Sequence, residues 1–175
     1  MTILPSKASF PKSNSLATEE VLKPDLCQVI QGLRSQPLTW PLIILLSLLP
    51  KNPTQLEKQL QYSEKGRYFW MPLFSNPFGE VLLCFWSVNS DSRSHDHFQS
   101  LAFVIVLIGK ISQKLLHVSA NKLFIFEQQE LKELSVGVIP AYQAHRIQNF
   151  SQDWAISVHL YFPRRKSIEL AIDED

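Results

Sequence analysis

His95, Asp96 and His97 stand in a row, and a third histidine, His145, sits in a patterned stretch well downstream. On a β-strand, residues i and i+2 point to the same side. His95 and His97 can therefore aim two imidazoles at one point, with Asp96 turned away. Imidazole is the commonest metal ligand among side chains, so metal binding is the chemistry this spacing offers. A single His-x-His pair is weak ground alone, because short polar repeats arise by chance.

A second row of reactive side chains falls near the end of the chain. Ala155, Ser157, His159 and Tyr161 alternate with Trp154, Ile156, Val158, Leu160 and Phe162. This is the period of a strand. In a half-exposed strand the polar row meets water. The apolar row is also large enough to be covered by an outer layer, which would turn Ser157, His159 and Tyr161 inward. Alternation by itself leaves both open.

The elements that must position these residues divide into a helical front and a β-rich body. Residues 1–18 are rich in Ser, Lys and Pro and read as a mobile segment. Residues 19–175 read as one domain, with a helical layer over about 19–62 and a barrel over about 67–165. Val21, Leu22, Leu26, Val29, Ile30 and Leu33 recur at near-helical spacing. Pro37 and Pro41 separate them from the apolar run Trp40–Leu49, which Pro50 and Pro53 close. Residues 54–62 extend the layer with a short helical piece. From Phe69 the pattern changes to short runs of β-formers: Val81–Trp86, Phe103–Ile108, Lys114–Val118, Leu123–Phe126 and Ala155–Phe162. Strands this short and this closely spaced indicate a sandwich or barrel.

Composition narrows the class. A chain of 175 residues has room for one core and little more. Hydrophobic residues make up 45% of it, which excludes a disordered chain. The net charge of +1 offers no electrostatic reason to expect nucleic acid or an anionic membrane as partner. Arg164-Arg165-Lys166 reads as a solvated turn, and His117 as a surface or edge residue. Trp40, Trp70, Trp86 and Trp154 read as packing. Cys27 and Cys84 make no disulfide framework, and Cys84, in an apolar run, reads as a buried small hydrophobe. The N-terminus lacks a signal peptide's basic start and apolar core. The run from Trp40 is shorter than the roughly 20 apolar residues of a membrane span. A cytoplasmic protein is expected, monomeric or weakly dimeric.

Two segments carry a resemblance. The first runs His95-Asp96-His97, Ala102, the apolar run Phe103–Ile108, then Gly109. The second runs Pro140-Ala-Tyr142-Gln-Ala-His145-Arg146-Ile-Gln-Asn149. Together they resemble the two metal motifs of the cupin superfamily, with Ala102 where a Glu ligand is usual and Tyr142 where the motif has Gly. Within that superfamily the chain resembles the cysteine dioxygenase family of thiol dioxygenases. The matching residues are Cys84-Phe-Trp86, Ser92–His97, Phe103-Val104 to Gly109, His145-Arg146 with Asn149, and Ser157-Val-His159-Leu-Tyr161-Phe-Pro163.

The resemblance implies a cupin double-stranded β-helix, a small jelly-roll barrel, with His95, His97 and His145 as metal ligands. It also implies Fe(II) as the cofactor, although the same imidazoles accept zinc, nickel or copper. Three neutral imidazoles leave a divalent metal its full charge and open positions, which suits a substrate arriving as a thiolate. The activity implied is oxidation of a small thiol by O2 to its sulfinic acid, with cysteine or 3-mercaptopropionate as substrate. Ser157, His159 and Tyr161 would then face the interior. Tyr161 would lie near substrate, His159 would orient it and Ser157 would hold His159. Family members bind the substrate carboxylate with an Arg in a Tyr-x-Arg context. Arg67 is the best match, at a shifted spacing, with Arg93 and Arg146 as substitutes. Ala102 stands where animal members carry a Cys joined to the active-site tyrosine, so that link is not expected. The Phe162-Pro163 bond is a candidate cis peptide. A different class stays open, a metal-binding cupin without oxygenase activity that acts as a sensor or small-molecule binder.

Overall fold

The computed structural model describes residues 61–62, 68–119, 122–166 and 168–169. The expected mobile segment over 1–18, the helices expected over 19–60, and Arg67 lie outside the described residues. Gln61 and Tyr62, expected in a helical piece, form a strand instead. Their backbone pairs with Trp70 and Phe69.

Eleven strands make up the described residues, with no helix among them. They are β1 (Gln61–Tyr62), β2 (Tyr68–Asn76), β3 (Gly79–Trp86), β4 (His95–Asp96), β5 (Leu101–Ile108) and β6 (Lys110–Ser119), followed by β7 (Lys122–Lys132), β8 (Val136–Ile139), β9 (Ala144–Gln148), β10 (Ala155–Phe162) and β11 (Ile168–Glu169). One sheet has the order β1-β2-β3-β10-β5-β8, the other β11-β4-β9-β6-β7. Every pairing is antiparallel. The five runs expected from sequence fall inside β3, β5, β6, β7 and β10. The nine-residue β2 and the short β8 and β9 were not among the runs expected as strands.

Alternation along β3 and β10 sorts the core into two layers. Leu82, Cys84, Trp86, Ala155 and Tyr161 meet Ala102, Val104 and Val106 of β5. They also meet Ile111, Leu115, Leu131 and Ile147 of the second sheet. This cluster therefore lies between the sheets. Phe69, Met71, Leu83, Phe85, Ile156 and Val158 form a second cluster on the other face of the first sheet. Burial on both faces explains why β3 reads as a nearly continuous apolar run. A register shift between Ile156 and Ser157 lets Leu107 and Ile108 both join the outer cluster.

The chain changes sheets between β5 and β6 at one residue, Gly109, whose φ is +74°. A Cβ there would lie 2.8 Å from the Trp154 carbonyl oxygen. Only glycine satisfies both constraints. No helix among the described residues is long and apolar enough to cross a membrane.

Candidate active site

His95 and His145 are direct cross-strand partners on β4 and β9. Three contacts beside them lock that register. Ser92 N–H donates to the Ile147 carbonyl, and Ile147 N–H donates to Ser92 Oγ, both at 2.9 Å. Arg146 and Gln148, on the opposite face of β9, grip the Asp91 carboxylate. Burial pushes the Asp91 carboxyl up, but Arg146, the Arg93 backbone N–H and Gln148 together hold it below its ordinary range. Asn149 is fully buried and donates to the carbonyls of Trp86, Ser87 and Asp153, which ties the end of β9 to the end of β3.

His97 follows β4 directly. Its ring centroid lies 4.7 Å from that of His95 and 4.8 Å from that of His145, and the His95–His145 separation is 4.4 Å. Each ring offers a nitrogen to the group, and these atoms lie within 4.8 Å of one another. Among the described residues these three can hold a metal ion. The donor set fits one. His95 Nδ1–H donates to the Arg93 carbonyl at 3.0 Å, which leaves Nε2 unprotonated. Burial pushes all three imidazoles down, His97 to about 2 with the help of His95, so they are neutral, as ligation requires. His145 Nε2 and His97 Nε2 face each other at 2.8 Å, while His145 Nδ1 is buried with no partner among the described residues. Among the described residues no carboxylate joins the group; Ala102 is buried on the same interior.

The Ser/His/Tyr row of β10 looks inward. Ser157 is 0% exposed, His159 3% and Tyr161 3%. Ser157 Oγ lies 2.9 Å from His159 Nε2, and His159 Nδ1 lies 3.1 Å from the Tyr161 hydroxyl. The Tyr161 ring meets the His97 ring edge-on at 4.7 Å. The row thus ends against the histidine group. Burial pushes the Tyr161 phenol up and the His159 imidazole down to about 3, so both are neutral near pH 7.

Sequence reasoning missed two residues here. Trp86, read as packing, donates its indole N–H to Ser157 Oγ at 2.8 Å. The strand register that places it there is not visible in a single chain. Arg165, read as part of a solvated turn, enters a cavity lined also by Tyr68, Trp70, Cys84, His95, His145 and Tyr161. Its guanidinium lies 5.4 Å from the Tyr161 ring centroid, and Nε donates to Glu80 at 2.9 Å. A run of three cations looks solvated when only composition is weighed. Its neighbour across the sheet, buried Glu80, is 85 positions away in the chain.

The other arginines considered for a substrate lie elsewhere. Arg146 is engaged with Asp91, and Arg93 is exposed with a φ of +57°. Neither lines the cavity. Cys84 is buried as expected and lines it, its thiol pushed up to about 12 by burial. His117 is exposed. Phe162-Pro163 is cis. Tyr142, in the position of the motif glycine, has φ +62°, and its ring meets Phe98 at 5.4 Å.

Solved structures of the cupin type share this architecture. The cupin domain of Cnp3 from Schizosaccharomyces pombe aligns with a TM-score of 0.50 at 14% identity, over 59% of this chain and 67% of that one. KdgF from Halomonas sp. aligns at 0.51 and 16%, over 62% and 91%. The oxalate decarboxylase of Lactobacillus farciminis aligns at 0.54 and 17%, over 65% of this chain and 34% of that one. At such identities the likeness shows the fold alone. No curated protein sequence matches the chain. A family model described as cysteine dioxygenase type I matches residues 46–172, which contain every histidine of the metal group and the whole of β10. With a match over most of its length, the chain belongs to the cysteine dioxygenase type I family.

Proposed function

We propose that this chain is an iron-dependent dioxygenase of small thiols. The overall change is R–SH + O2 → R–SO2H, with both oxygen atoms retained by sulfur. The observation that carries the reading is the convergence of three neutral imidazoles, with no carboxylate among the described residues, on the Tyr161 end of the Ser157-His159-Tyr161 row. His95, His97 and His145 would hold the Fe(II). Bound iron would supply the site where thiolate and dioxygen meet and the electrons that activate oxygen.

The chain's own residues supply position and proton control. The zip of Asp91–Ser92 against Arg146–Gln148 fixes the imidazoles before any ligand arrives, which lowers the ordering cost of binding. Indole N–H is a donor only, so Trp86 takes one of the two lone pairs of Ser157 Oγ, and the row is assigned the tautomer that leaves the Tyr161 hydroxyl hydrogen for substrate. Ser157 accepts from Trp86 and gives its proton to His159 Nε2. His159 Nδ1–H then donates to the Tyr161 oxygen, and the Tyr161 O–H is left to point toward bound substrate. This order gives every hydrogen in the row an acceptor once substrate meets the Tyr161 hydroxyl, as a buried network requires. The substrate is cysteine or 3-mercaptopropionate. The working partners are that thiol and O2, with no role for nucleic acid or membrane. The compartment is the cytoplasm, where the buried Cys84 stays a thiol, and the chain acts as a monomer or weak homodimer.

The test is oxygen uptake by iron-loaded protein with a panel of cysteine, 3-mercaptopropionate and cysteamine, with the sulfinate identified by mass spectrometry. Uptake matched one-to-one by sulfinate is expected for one of the carboxylate-bearing thiols. No uptake at full iron occupancy would replace this reading with a metal-binding cupin that senses or binds a small molecule.

A further inference from the structure

The β10 row has a different oxidisable ring at each end. Trp86 donates its indole N–H to Ser157 Oγ at 2.8 Å, Ser157 Oγ lies 2.9 Å from His159 Nε2, and His159 Nδ1 lies 3.1 Å from the Tyr161 hydroxyl. An indole and a phenol, the aromatic side chains that give up an electron most readily, are thus joined by an unbroken line of hydrogen bonds. Trp86 is 1% exposed and Ser157, His159 and Tyr161 are buried, so bulk water does not interrupt the line. The rings are close as well. The His159 centroid lies 5.9 Å from that of Trp86 and 6.2 Å from that of Tyr161. A single imidazole separates the two ends.

The two ends meet different surroundings. Tyr161 meets the His97 ring edge-on at 4.7 Å, so an oxidisable phenol stands beside the histidine group. Trp86 begins the row at its other end and carries Tyr68 stacked on it, with centroids 4.7 Å apart and planes 14° apart. The electron-rich face of such a neighbour stabilises an indole that has become electron-poor. Packing alone needs the Trp86 ring but no N–H aimed at Ser157. A row that only held Tyr161 in place could begin at any donor, whereas this one begins at a group that can itself be oxidised.

We propose that the row is a relay through which Trp86 repairs Tyr161 after oxidation. The assignment rests on the iron reading above, not on which thiol is the substrate. When oxygen is activated with no thiol in place, Tyr161 loses its O–H hydrogen, proton and electron together, to an oxygen-derived oxidant at the iron. A phenoxyl radical is left. One electron then passes from the Trp86 indole to Tyr161 across His159. Protons step the same way along the row: Trp86 N–H to Ser157 Oγ, Ser157 O–H to His159 Nε2, and His159 Nδ1–H to the Tyr161 oxygen. Tyr161 is a phenol again and Trp86 a neutral indolyl radical. No net charge is left in the buried row, where an unpaired charge would be costly. A thiol that reaches the cavity, which Trp86 also lines, restores the indole with one electron and one proton. The thiyl radicals so formed join in pairs as disulfide. The relay thereby moves damage away from Tyr161 and the metal ligands.

The test uses full-length protein loaded with Fe(II), freed of thiol and given stoichiometric hydrogen peroxide. Peptide mass spectrometry then locates the oxygen added to side chains. Wild type should carry it mainly on Trp86, as hydroxytryptophan and kynurenine products, and Zn(II)-loaded protein should not. Trp70 lines the same cavity outside the row and is the reference for direct attack. Tyr161→Phe cannot form the phenoxyl, so Trp86 oxidation should fall severalfold relative to Trp70. Ser157→Ala keeps both oxidisable rings and breaks the line between them. It should lower Trp86 oxidation to the same extent and move the added oxygen onto Tyr161. Trp86→Phe should likewise raise Tyr161 hydroxylation severalfold, and it carries the test if the other two do not fold. Circular dichroism and iron content check each variant. Trp86 oxidation unchanged in Tyr161→Phe or Ser157→Ala overturns the relay, and so does Tyr161 hydroxylation unchanged in Trp86→Phe. Products confined to Tyr161 and the histidines of iron-loaded wild type do the same. If wild type takes up no iron, the iron reading fails, and this one with it.

Discussion

Ala102 and Tyr161 are direct partners across β5 and β10, both buried on the face that looks into the site. Cβ atoms of such partners lie about 4.5–5.5 Å apart, so a thiol at position 102 would lie against the Tyr161 ring. With iron bound and O2 supplied, Ala102→Cys protein should form a Cys–Tyr thioether over repeated turnovers. Sulfur loses its hydrogen, the ring loses one beside the hydroxyl, and O2 accepts both. Peptide mass spectrometry should show a joined pair of peptides two hydrogens lighter than their sum. Ala102→Cys with Tyr161→Phe should show none, and neither should protein held without iron or oxygen. Trp86 teaches a related lesson at this scale. Its type suggests packing, and it does stack near His159 with centroids 5.9 Å apart. Its single polar atom nevertheless donates to Ser157, at the start of the hydrogen-bonded row of β10.

At the scale of elements, two joints set the histidine geometry. The first is the zip between residues 91–92 and β9. Asp91 has a depressed carboxyl pKa in the folded protein. Its contribution is therefore complete above the unfolded carboxyl pKa of about 3.9 and is lost as pH falls through the folded value. Asp91→Asn should cost about 2 kcal/mol at pH 7, since Arg146 loses its carboxylate contact with Asp91 at a site only 21% exposed. The gap between variant and wild type should narrow below about pH 4. Urea unfolding at pH 7 and pH 3 checks both, and a gap that widens in acid would contradict the argument. The second joint is Gly109. Gly109→Ala puts a Cβ 2.8 Å from the Trp154 carbonyl at a φ of +74°. It should lower stability by about 1–3 kcal/mol, read by thermal unfolding. Tyr142 shows the opposite choice. It accepts a left-handed φ without being glycine, and the Phe98 ring and the Phe98 carbonyl hold it there.

For the whole molecule, metal binding and stability should be linked. The histidine group forms only when β4, β9 and the turn after β4 are in place, so an ion bound there stabilises the folded state and not the unfolded chain. At a free-metal concentration of 100 times Kd the gain is about 2.7 kcal/mol, or roughly 5–10 °C in a domain of this size. Chelation should lower the Tm of wild type by that amount. It should leave His145→Ala unmoved, because two imidazoles hold the ion far more weakly. A metal-dependent Tm in His145→Ala, or near-stoichiometric metal in it, would remove His145 from the ligand set. Much of this architecture was legible beforehand. Short apolar or alternating runs of β-formers marked β3, β5, β6, β7 and β10, because run length and residue type are local properties of a strand. His95, His97, His145 and the Ser157-His159-Tyr161 row stood out because their spacing matches the geometry of strands and of two family motifs. β8 and β9 were missed because four or five residues carry too few periods to register, and the nine-residue β2 was missed because Pro72 interrupts its pattern. Only the tertiary structure decided which face of β10 looks inward, since that depends on the cover its apolar face finds. Only it turned Trp86 from packing into a donor, and Arg165 from a solvated turn into a residue lining the cavity. Both depend on partners 71 and 85 positions away. Spacing along a chain specifies what neighbours on one strand can share, whereas charge compensation and hydrogen-bond direction across strands exist only once the register is set.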